Sequence, residues 1–233
     1  VGTTRLTVEC AATLARAGWD VVVVDAAFAT QGVASYLDQQ VERDATALAT
    51  GSAAIEETLY DIGTDLPGRL AVCPARAPFD RLARAKTPEA AERLGDCIAA
   101  TSLGHDAVVV DVPPVAANQA VTAVEAVETV ALVTTDTVRG GRALVRQRER
   151  LADLGESPDH CLANRARDGP ADADIAVPES GVCAPRACPV CSHPEGESAF
   201  AAAVAEATET LLDSSLDLSV GRSGLLDRLV GTG

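Results

Sequence analysis

The chain has 233 residues, 47% of them hydrophobic, and is therefore long enough to bury one sizeable core. Its 34 acidic residues outnumber the 19 basic ones, which gives a formal charge of −15 at pH 7. A field this negative opposes the counterion release that drives binding to a nucleic-acid backbone. No run approaches the roughly 18 apolar residues that a membrane-spanning helix needs. We therefore expect one cytoplasmic domain that makes no direct contact with nucleic acid.

The first part of the chain alternates a helical pattern with apolar runs that are short enough to be strands. Residues 8–17 have helix-forming composition, and Gly18 stops that helix. The run 21–24 is entirely valine and is closed by Asp25, which is typical of a strand buried on both faces. A weaker strand is predicted at 70–73, between prolines.

The same unit recurs further along the chain. Residues 88–101 read as a helix, Gly104 breaks it, and the apolar run 107–110 ends at Asp111. Short two-sided strands that alternate with helices indicate an α/β fold with a mostly parallel sheet and helices on both faces. The later part of the chain continues this pattern, with strands at 130–133, 161–163 and 174–177, helices at 140–154 and 197–212, and mostly loop over 165–194.

Two of the predicted strands end in aspartate. In open α/β folds the carboxyl ends of parallel strands meet at the edge of the sheet where ligands bind. We therefore expect Asp25 and Asp111 to lie close together at that edge.

The segment 110–114 reads Val-Asp-Val-Pro-Pro and resembles the Walker B strand of the MinD/ParA family of P-loop ATPases, whose aspartate holds Mg²⁺ through water. Residues 1–5 resemble the end of the family's deviant Walker A loop. Asn164 and Arg165 are similar to its adenine-reading pair, and 177–179 to the loop that closes over the base. These matches follow the family's order along nearly the whole chain, so the resemblance implies a P-loop NTPase fold.

By this resemblance the chain binds ATP or ADP with Mg²⁺, and ATP closes a homodimer that a protein partner or a surface recognises. Thr4 and Asp111 are then expected to hold Mg²⁺, and Asp25 is the candidate catalytic residue. The resemblance assigns nucleotide contacts to Gly2, Thr3, Thr4, Arg5, Asn164, Arg165, Pro178 and Glu179.

Two residues depart from the family pattern in ways that affect catalysis. Thr3 stands where the family has its phosphate-contacting lysine, and Ala27 stands where it commonly has a second aspartate. Loss of a fixed positive charge beside the phosphates removes an interaction that phosphoryl transfer depends on. We therefore expect a regulatory or positioning switch with weak or no ATPase activity. A pseudo-ATPase scaffold that binds no nucleotide is the alternative.

The resemblance places the P-loop domain at 1–213 and implies that its first strand precedes the given sequence, because the chain begins within the Walker A loop.

Residues 214–233 are expected to form a linker and a short apolar tip. With few basic residues beside it, this tip would be attracted only weakly to anionic lipid, so packing onto its own domain is the favoured interpretation and peripheral membrane contact the other. The apolar residues of the tip are Leu225, Leu226, Leu229 and Val230.

Three cysteines and a histidine lie in a stretch that the family pattern does not require: Cys183, Cys188, Cys191 and His193. Thiolates and an imidazole at this spacing could complete a zinc site, and the Cys-Pro-x-Cys pair resembles that of P-loop iron–sulfur carriers. A zinc- or iron–sulfur-binding carrier or interaction protein is thus a second functional hypothesis. Reduced loop cysteines are the simpler interpretation.

The acidic composition also resembles that of proteins from salt-loving archaea. Arginine is favoured over lysine, and alanine and valine are abundant. Carboxylates hold hydration, and net repulsion keeps such a protein dispersed when salt screens its charges. An ordinary acidic protein is the alternative interpretation.

Overall fold

A computed structural model describes residues 2–63, 65–166, 173–194 and 198–218. Its strands are β1 (Asp20–Asp25), β2 (Tyr60–Asp61), β3 (Arg69–Cys73), β4 (Ala107–Asp111), β5 (Ala131–Thr135), β6 (His160–Asn164) and β7 (Ile175–Val177). Its α-helices are α1 (Thr3–Arg16), α2 (Ala45–Ala49), α3 (Phe79–Arg84), α4 (Pro88–Ser102), α5 (Asn118–Glu125), α6 (Val138–Asp153) and α7 (Ala199–Leu212).

The predicted α/β architecture is confirmed, and each predicted strand and helix within the described ranges is present. Helices α2, α3 and α5 and the short strand β2 were not predicted. These helices have only five to eight residues, and helices shorter than about 12 residues depend on tertiary packing rather than on their own propensity. Their sequences therefore carry only a weak helical periodicity, which is why they were not predicted.

The strands form two sheets. In the first, with order β2-β3-β1-β4, strand β1 pairs parallel to both β3 and β4, and β2 adds an antiparallel edge. In the second, with order β5-β6-β7, both pairings are parallel. Among the described residues no backbone ladder joins β4 to β5, which differs from the single sheet that the sequence predicts. The expectation of a strand preceding the sequence stays a prediction.

Strand β1 is covered on both faces, as its run of valines predicts. Val21 and Val23 belong to a hydrophobic cluster that contains α1 and α7. Val22 and Val24 belong to a second cluster that contains α2 and α4. Because successive side chains of a strand point to opposite faces, one run of four valines contributes to two cores.

Helix α1 reaches residues of both sheets. The cluster around it includes Leu70 and Val72 of β3 and also Leu162 of β6 and Ile175 of β7. The two sheets therefore share one hydrophobic core around α1.

Several helices begin at a side chain that accepts a backbone N–H, which satisfies one of the free donors of the first turn. These N-caps are Asp44 for α2, Thr87 for α4, Thr137 for α6 and Ser198 for α7. Helix α1 begins instead at Gly2, which has a left-handed φ of 88° and supplies no side-chain cap.

No helix in the described ranges is both long and apolar enough to cross a membrane. The apolar tip and most of the predicted linker, residues 219–233, lie outside those ranges.

Two adjacent glycines of α6 provide a matched test of how this helix packs on β5. A side-chain carbon at Gly140 would overlap the carbonyl oxygen of Thr135, whereas the same carbon at Gly141 would meet nothing within 4 Å. We expect Gly140→Ala to lower the free energy of unfolding by about 1–3 kcal/mol, since a backbone atom blocks the site. We expect Gly141→Ala to raise it by up to about 1 kcal/mol through helix propensity.

The free energy of unfolding of both variants is measured by urea titration, monitored through the fluorescence of Trp19, the single tryptophan. Equal effects of the two substitutions would show that α6 does not pack on β5 in this way.

Candidate functional site

The hydroxyl of Thr4 and the carboxylate of Asp111 meet where α1 begins and β4 ends. Thr4 Oγ1 donates a hydrogen bond to Asp111 Oδ2 at 2.6 Å, although the two residues are 107 positions apart in the sequence. The structure thus brings together the two side chains that were predicted to hold Mg²⁺. Their role as ligands stays a prediction.

Asp25 lies beside Asp111, because the two residues are register partners at the ends of β1 and β4. Its side chain is buried and accepts three backbone N–H groups. Oδ1 accepts from Ala27 at 2.9 Å, and Oδ2 accepts from Val33 and Ala75, both at 3.3 Å. The expected pair of carboxylates at the sheet edge is therefore present.

Both carboxyl groups are harder to ionise than usual. Burial, followed by repulsion from Asp111, raises the pKa of Asp25 to about 7, although its three backbone hydrogen bonds act in the opposite direction. Burial also raises the pKa of Asp111, and the hydrogen bond from Thr4 lowers it. A cation placed between the two carboxylates would favour the ionised form of both.

The N-terminus of α1 lies against the end of β6. A side-chain carbon at Gly2 would overlap the amide nitrogen of Asn164, and the φ of 88° is one that residues with side chains rarely adopt, so glycine is favoured at this position. Asn164 is buried, whereas the next residue, Arg165, is exposed and adopts a positive φ of 56°. Of the predicted adenine-reading pair, the structure therefore places Asn164 beside the predicted Walker A residues and leaves Arg165 on the surface. Thr3 is half-buried in the first turn of α1.

Arg5 is held by contacts within α1 and with the loop that follows β7. Its Nε donates to Glu9 Oε1 at 2.6 Å, and its Nη1 donates to the carbonyl oxygen of Val182 at 2.9 Å. The guanidinium is held by a buried carboxylate one helical turn further on, a spacing at which helical side chains are neighbours. For Arg5 to line the phosphates, as the resemblance predicts, its guanidinium would have to leave these partners.

Pro178 and Glu179 directly follow β7, whose last residue, Val177, is the register partner of Asn164. The predicted base-side loop therefore starts at the same sheet edge as Asn164. It continues to Ser180, whose hydroxyl accepts a hydrogen bond from Arg5 Nη2 at 3.4 Å.

The four predicted zinc or iron–sulfur ligands are not gathered into a site. Cys191 is buried against α1, where its backbone N–H donates to Glu9 at 2.8 Å, while Cys183 and His193 are exposed. Cys188 donates to a backbone carbonyl of its own turn at 3.2 Å. Within the described residues no group of three or more histidine, cysteine or acidic side chains is placed to hold a metal ion. This arrangement does not support the metal hypothesis.

Glu9 is the residue of this region that sequence reasoning missed. Its side chain is completely buried, and it accepts hydrogen bonds from Arg5 and from the backbone N–H groups of Val190 at 3.0 Å and Cys191 at 2.8 Å. The spacing of Arg5 and Glu9 is visible in the sequence as an i, i+4 pair. The partners near residue 190 are not.

Comparison with known proteins identifies the fold. No model of a known protein family matches the chain, and neither does any curated protein sequence. Solved structures do match. MinD of Pyrococcus horikoshii, a septum site-determining protein solved with Mg-ADP, is 18% identical with a TM-score of 0.71, over 99% of this chain and 92% of its own. The MinD cell division protein of Aquifex aeolicus is 18% identical with a TM-score of 0.74, over 93% of this chain and 94% of its own.

The chain has the MinD-type ATPase fold. An enzyme of different chemistry shares it: the cobyrinic acid a,c-diamide synthase of Mycobacterium smegmatis, solved with ADP and magnesium, is 17% identical with a TM-score of 0.64, over 91% of this chain and 89% of its own. The predicted P-loop fold class is thereby confirmed. Thr4, Asp25 and Asp111 lie at the carboxyl edge of the first sheet, the edge at which open α/β proteins bind ligands.

The raised pKa of Asp25 predicts how stability depends on pH when no divalent cation is present. Between its ordinary value of 3.8 and its folded value of about 7, the folded protein keeps a proton that the unfolded chain has released. The contribution of Asp25 therefore favours the folded state at low pH and is lost as pH rises through this window. The loss is on the order of 4 kcal/mol at most.

Asp25→Asn removes the titration, so its stability should fall less between pH 4 and pH 7 than that of the parent protein. Urea midpoints measured across this range, in the presence of a chelator, test this expectation. Parallel pH profiles for the two proteins would contradict it.

Proposed function

We propose that this protein binds ATP or ADP together with Mg²⁺ and acts as a MinD/ParA-like nucleotide switch. The observation that carries the proposal is the 2.6 Å contact between Thr4 Oγ1 and Asp111 Oδ2 at the start of α1, with Asp25 alongside. Hydroxyl and carboxylate oxygens are the ligands that Mg²⁺ prefers. This donor set fits Mg²⁺, with Thr4 and Asp111 as the residues that would hold it. The bound cation would neutralise charge on the phosphates.

The phosphates would lie at the N-terminus of α1. The backbone N–H groups of the first helical turn bind anions independently of the side chains, and no acidic residue lies in that turn to repel them. Gly2, Thr3 and Thr4 supply this cradle. Arg5 is left out of it, because Glu9 holds its guanidinium.

Asn164 would face the base. Its side-chain amide offers both donors and an acceptor, which is the combination needed to read an adenine edge. It lies beside Gly2, so the base and phosphate halves of the proposed site meet at the start of α1. Pro178 and Glu179 would form the outer wall, and Arg165 could reach the base only from the surface.

Hydrolysis would be weak or absent. With threonine at position 3 and Arg5 paired to Glu9, neither residue offers a free positive charge to stabilise the transferring phosphoryl group. Asp25 has a pKa near neutrality, which suits a general base. Both of its oxygens already accept backbone hydrogen bonds, however, and Ala27 supplies no second carboxylate. Such a protein would act through the nucleotide it holds, in a regulatory or positioning role.

The proposal extends to the partners and the cellular location of the protein. The proposal includes a homodimer that forms on nucleotide binding and a protein partner that recognises it. A MinD of Aquifex aeolicus, 20% identical to this chain with a TM-score of 0.72, has been solved in complex with MinC. The proposed location is the cytoplasm, with weak peripheral membrane contact through the apolar tip as an additional prediction.

Calorimetry with ATP and ADP, with and without Mg²⁺ and in high salt, tests the proposal. We expect micromolar binding that needs Mg²⁺ and falls at least about tenfold in Asp111→Ala, because one cation ligand is removed. Asp106→Ala is a matched control. Asp106 accepts the backbone N–H of Asp20 at the far end of the same strand, so binding should be unchanged.

If the parent protein binds neither nucleotide, the pseudo-ATPase scaffold becomes the better description. Turnover comparable to that of intact family members would contradict the weak-ATPase part of the proposal.

A further inference from the structure

Arg5 connects the start of α1 to the loop that follows β7. Its guanidinium donates hydrogen bonds from Nε to Glu9, from Nη1 to the carbonyl oxygen of Val182 and from Nη2 to the hydroxyl of Ser180. We infer that Arg5 is a positioning residue that sets the base-side wall of the nucleotide site. This inference rests on the proposed function.

The segment that Arg5 holds is a tight turn. The Ser180 hydroxyl accepts the N–H of Val182 at 3.2 Å and lies 2.9 Å from its carbonyl oxygen. The turn is therefore held by hydrogen bonds within itself, and the two bonds from Arg5 connect it to the first turns of α1. A planar guanidinium can donate in several directions at once, as this arrangement requires.

Pro178 and Glu179 are consequently fixed at both ends. On one side they follow Val177, which is held in the β6–β7 ladder and accepts the N–H of Ala166 at 3.1 Å. On the other side they lead directly into the turn at Ser180. Only two residues separate these anchors, so the course of the proposed wall depends on where Arg5 holds its far end.

Glu9 keeps the guanidinium in place. The carboxylate is completely buried, and the backbone N–H groups of Val190 and Cys191 also donate to it, to Oε1 and Oε2 respectively. The guanidinium also lies over the ring of Phe200, 5.5 Å from the centroid. Arg5 therefore has little freedom to turn toward a phosphate.

This geometry separates two possible roles of the residue. A phosphate ligand would contribute to the binding of any polyphosphate. A residue that positions the base-side wall contributes only when a base is present. Arg5 is adjacent to Thr4 in the sequence, yet its side chain serves the base half of the site.

The test compares Mg-ATP with Mg-tripolyphosphate, which carries the phosphates without the base. Arg5→Lys is the informative variant, because lysine keeps the charge that Glu9 needs but cannot reproduce the planar fork that reaches Ser180 and Val182. We expect its affinity for ATP to fall about five- to tenfold, the equivalent of one or two hydrogen bonds. Its affinity for tripolyphosphate should stay within about twofold of the parent value.

Arg186→Lys is the matched control. Arg186 lies in the same region but is exposed and pairs with Asp38 at the surface, so both affinities should remain those of the parent protein. Thermal midpoints of all three proteins, measured alongside, show that each variant is folded.

If Arg5→Lys lost affinity equally for ATP and for tripolyphosphate, the substitution would have disturbed the whole site, and the inference would be overturned. Unchanged affinity for both ligands would overturn it as well. A parent protein that binds ATP and tripolyphosphate equally well would also overturn it, while leaving the phosphate half of the proposed function intact. A parent that binds neither would refute the proposed function itself, and the inference with it.

Discussion

The packing of α1 is the constraint on which the rest of this structure depends. Among the described residues no ladder connects β4 with β5, and the two sheets meet through side-chain packing. A smaller cluster joins Val115, after β4, to Leu132 of β5 and Leu151 of α6, and the larger contribution is the cluster around α1. The same packing fixes the start of α1 over the end of β4, where Thr4 meets Asp111. A change that shifts α1 would therefore disturb the core and the candidate site together.

Electrostatics adds a second constraint on the same helix. A buried carboxylate is costly unless it is paired and hydrogen-bonded, and Glu9 meets both conditions through Arg5 and two backbone N–H groups. This pairing engages Arg5, the basic residue that follows Thr4 in the sequence. What remains at the site edge is a pair of carboxylates, Asp25 and Asp111, whose raised pKa values reflect burial and, for Asp25, repulsion from its neighbour. Such a site favours a cation.

These features are the physical basis of the proposed switch, in which nucleotide is bound but hydrolysed slowly or not at all. Backbone N–H groups and hard oxygens suffice to bind phosphate and Mg²⁺, whereas rapid phosphoryl transfer needs additional fixed positive charge. The MinD-type fold alone does not decide between these outcomes, because the same fold serves different chemistries. In the proposed function, Thr3, Arg5 and Ala27 are the residues expected to limit phosphoryl transfer.

The sequence by itself determined the alternation of strands and helices and the placement of Asp25 and Asp111, because valine runs, glycine stops and strand-end aspartates are local signals. Only the tertiary structure decided where Arg5 points, what Glu9 holds, that the cysteines diverge and that the strands form two sheets. Arg5 bonds Val182 across 177 positions, and Glu9 bonds Cys191 across 182. No local pattern encodes contacts of that range, since they depend on how α1 and the loop after β7 pack together.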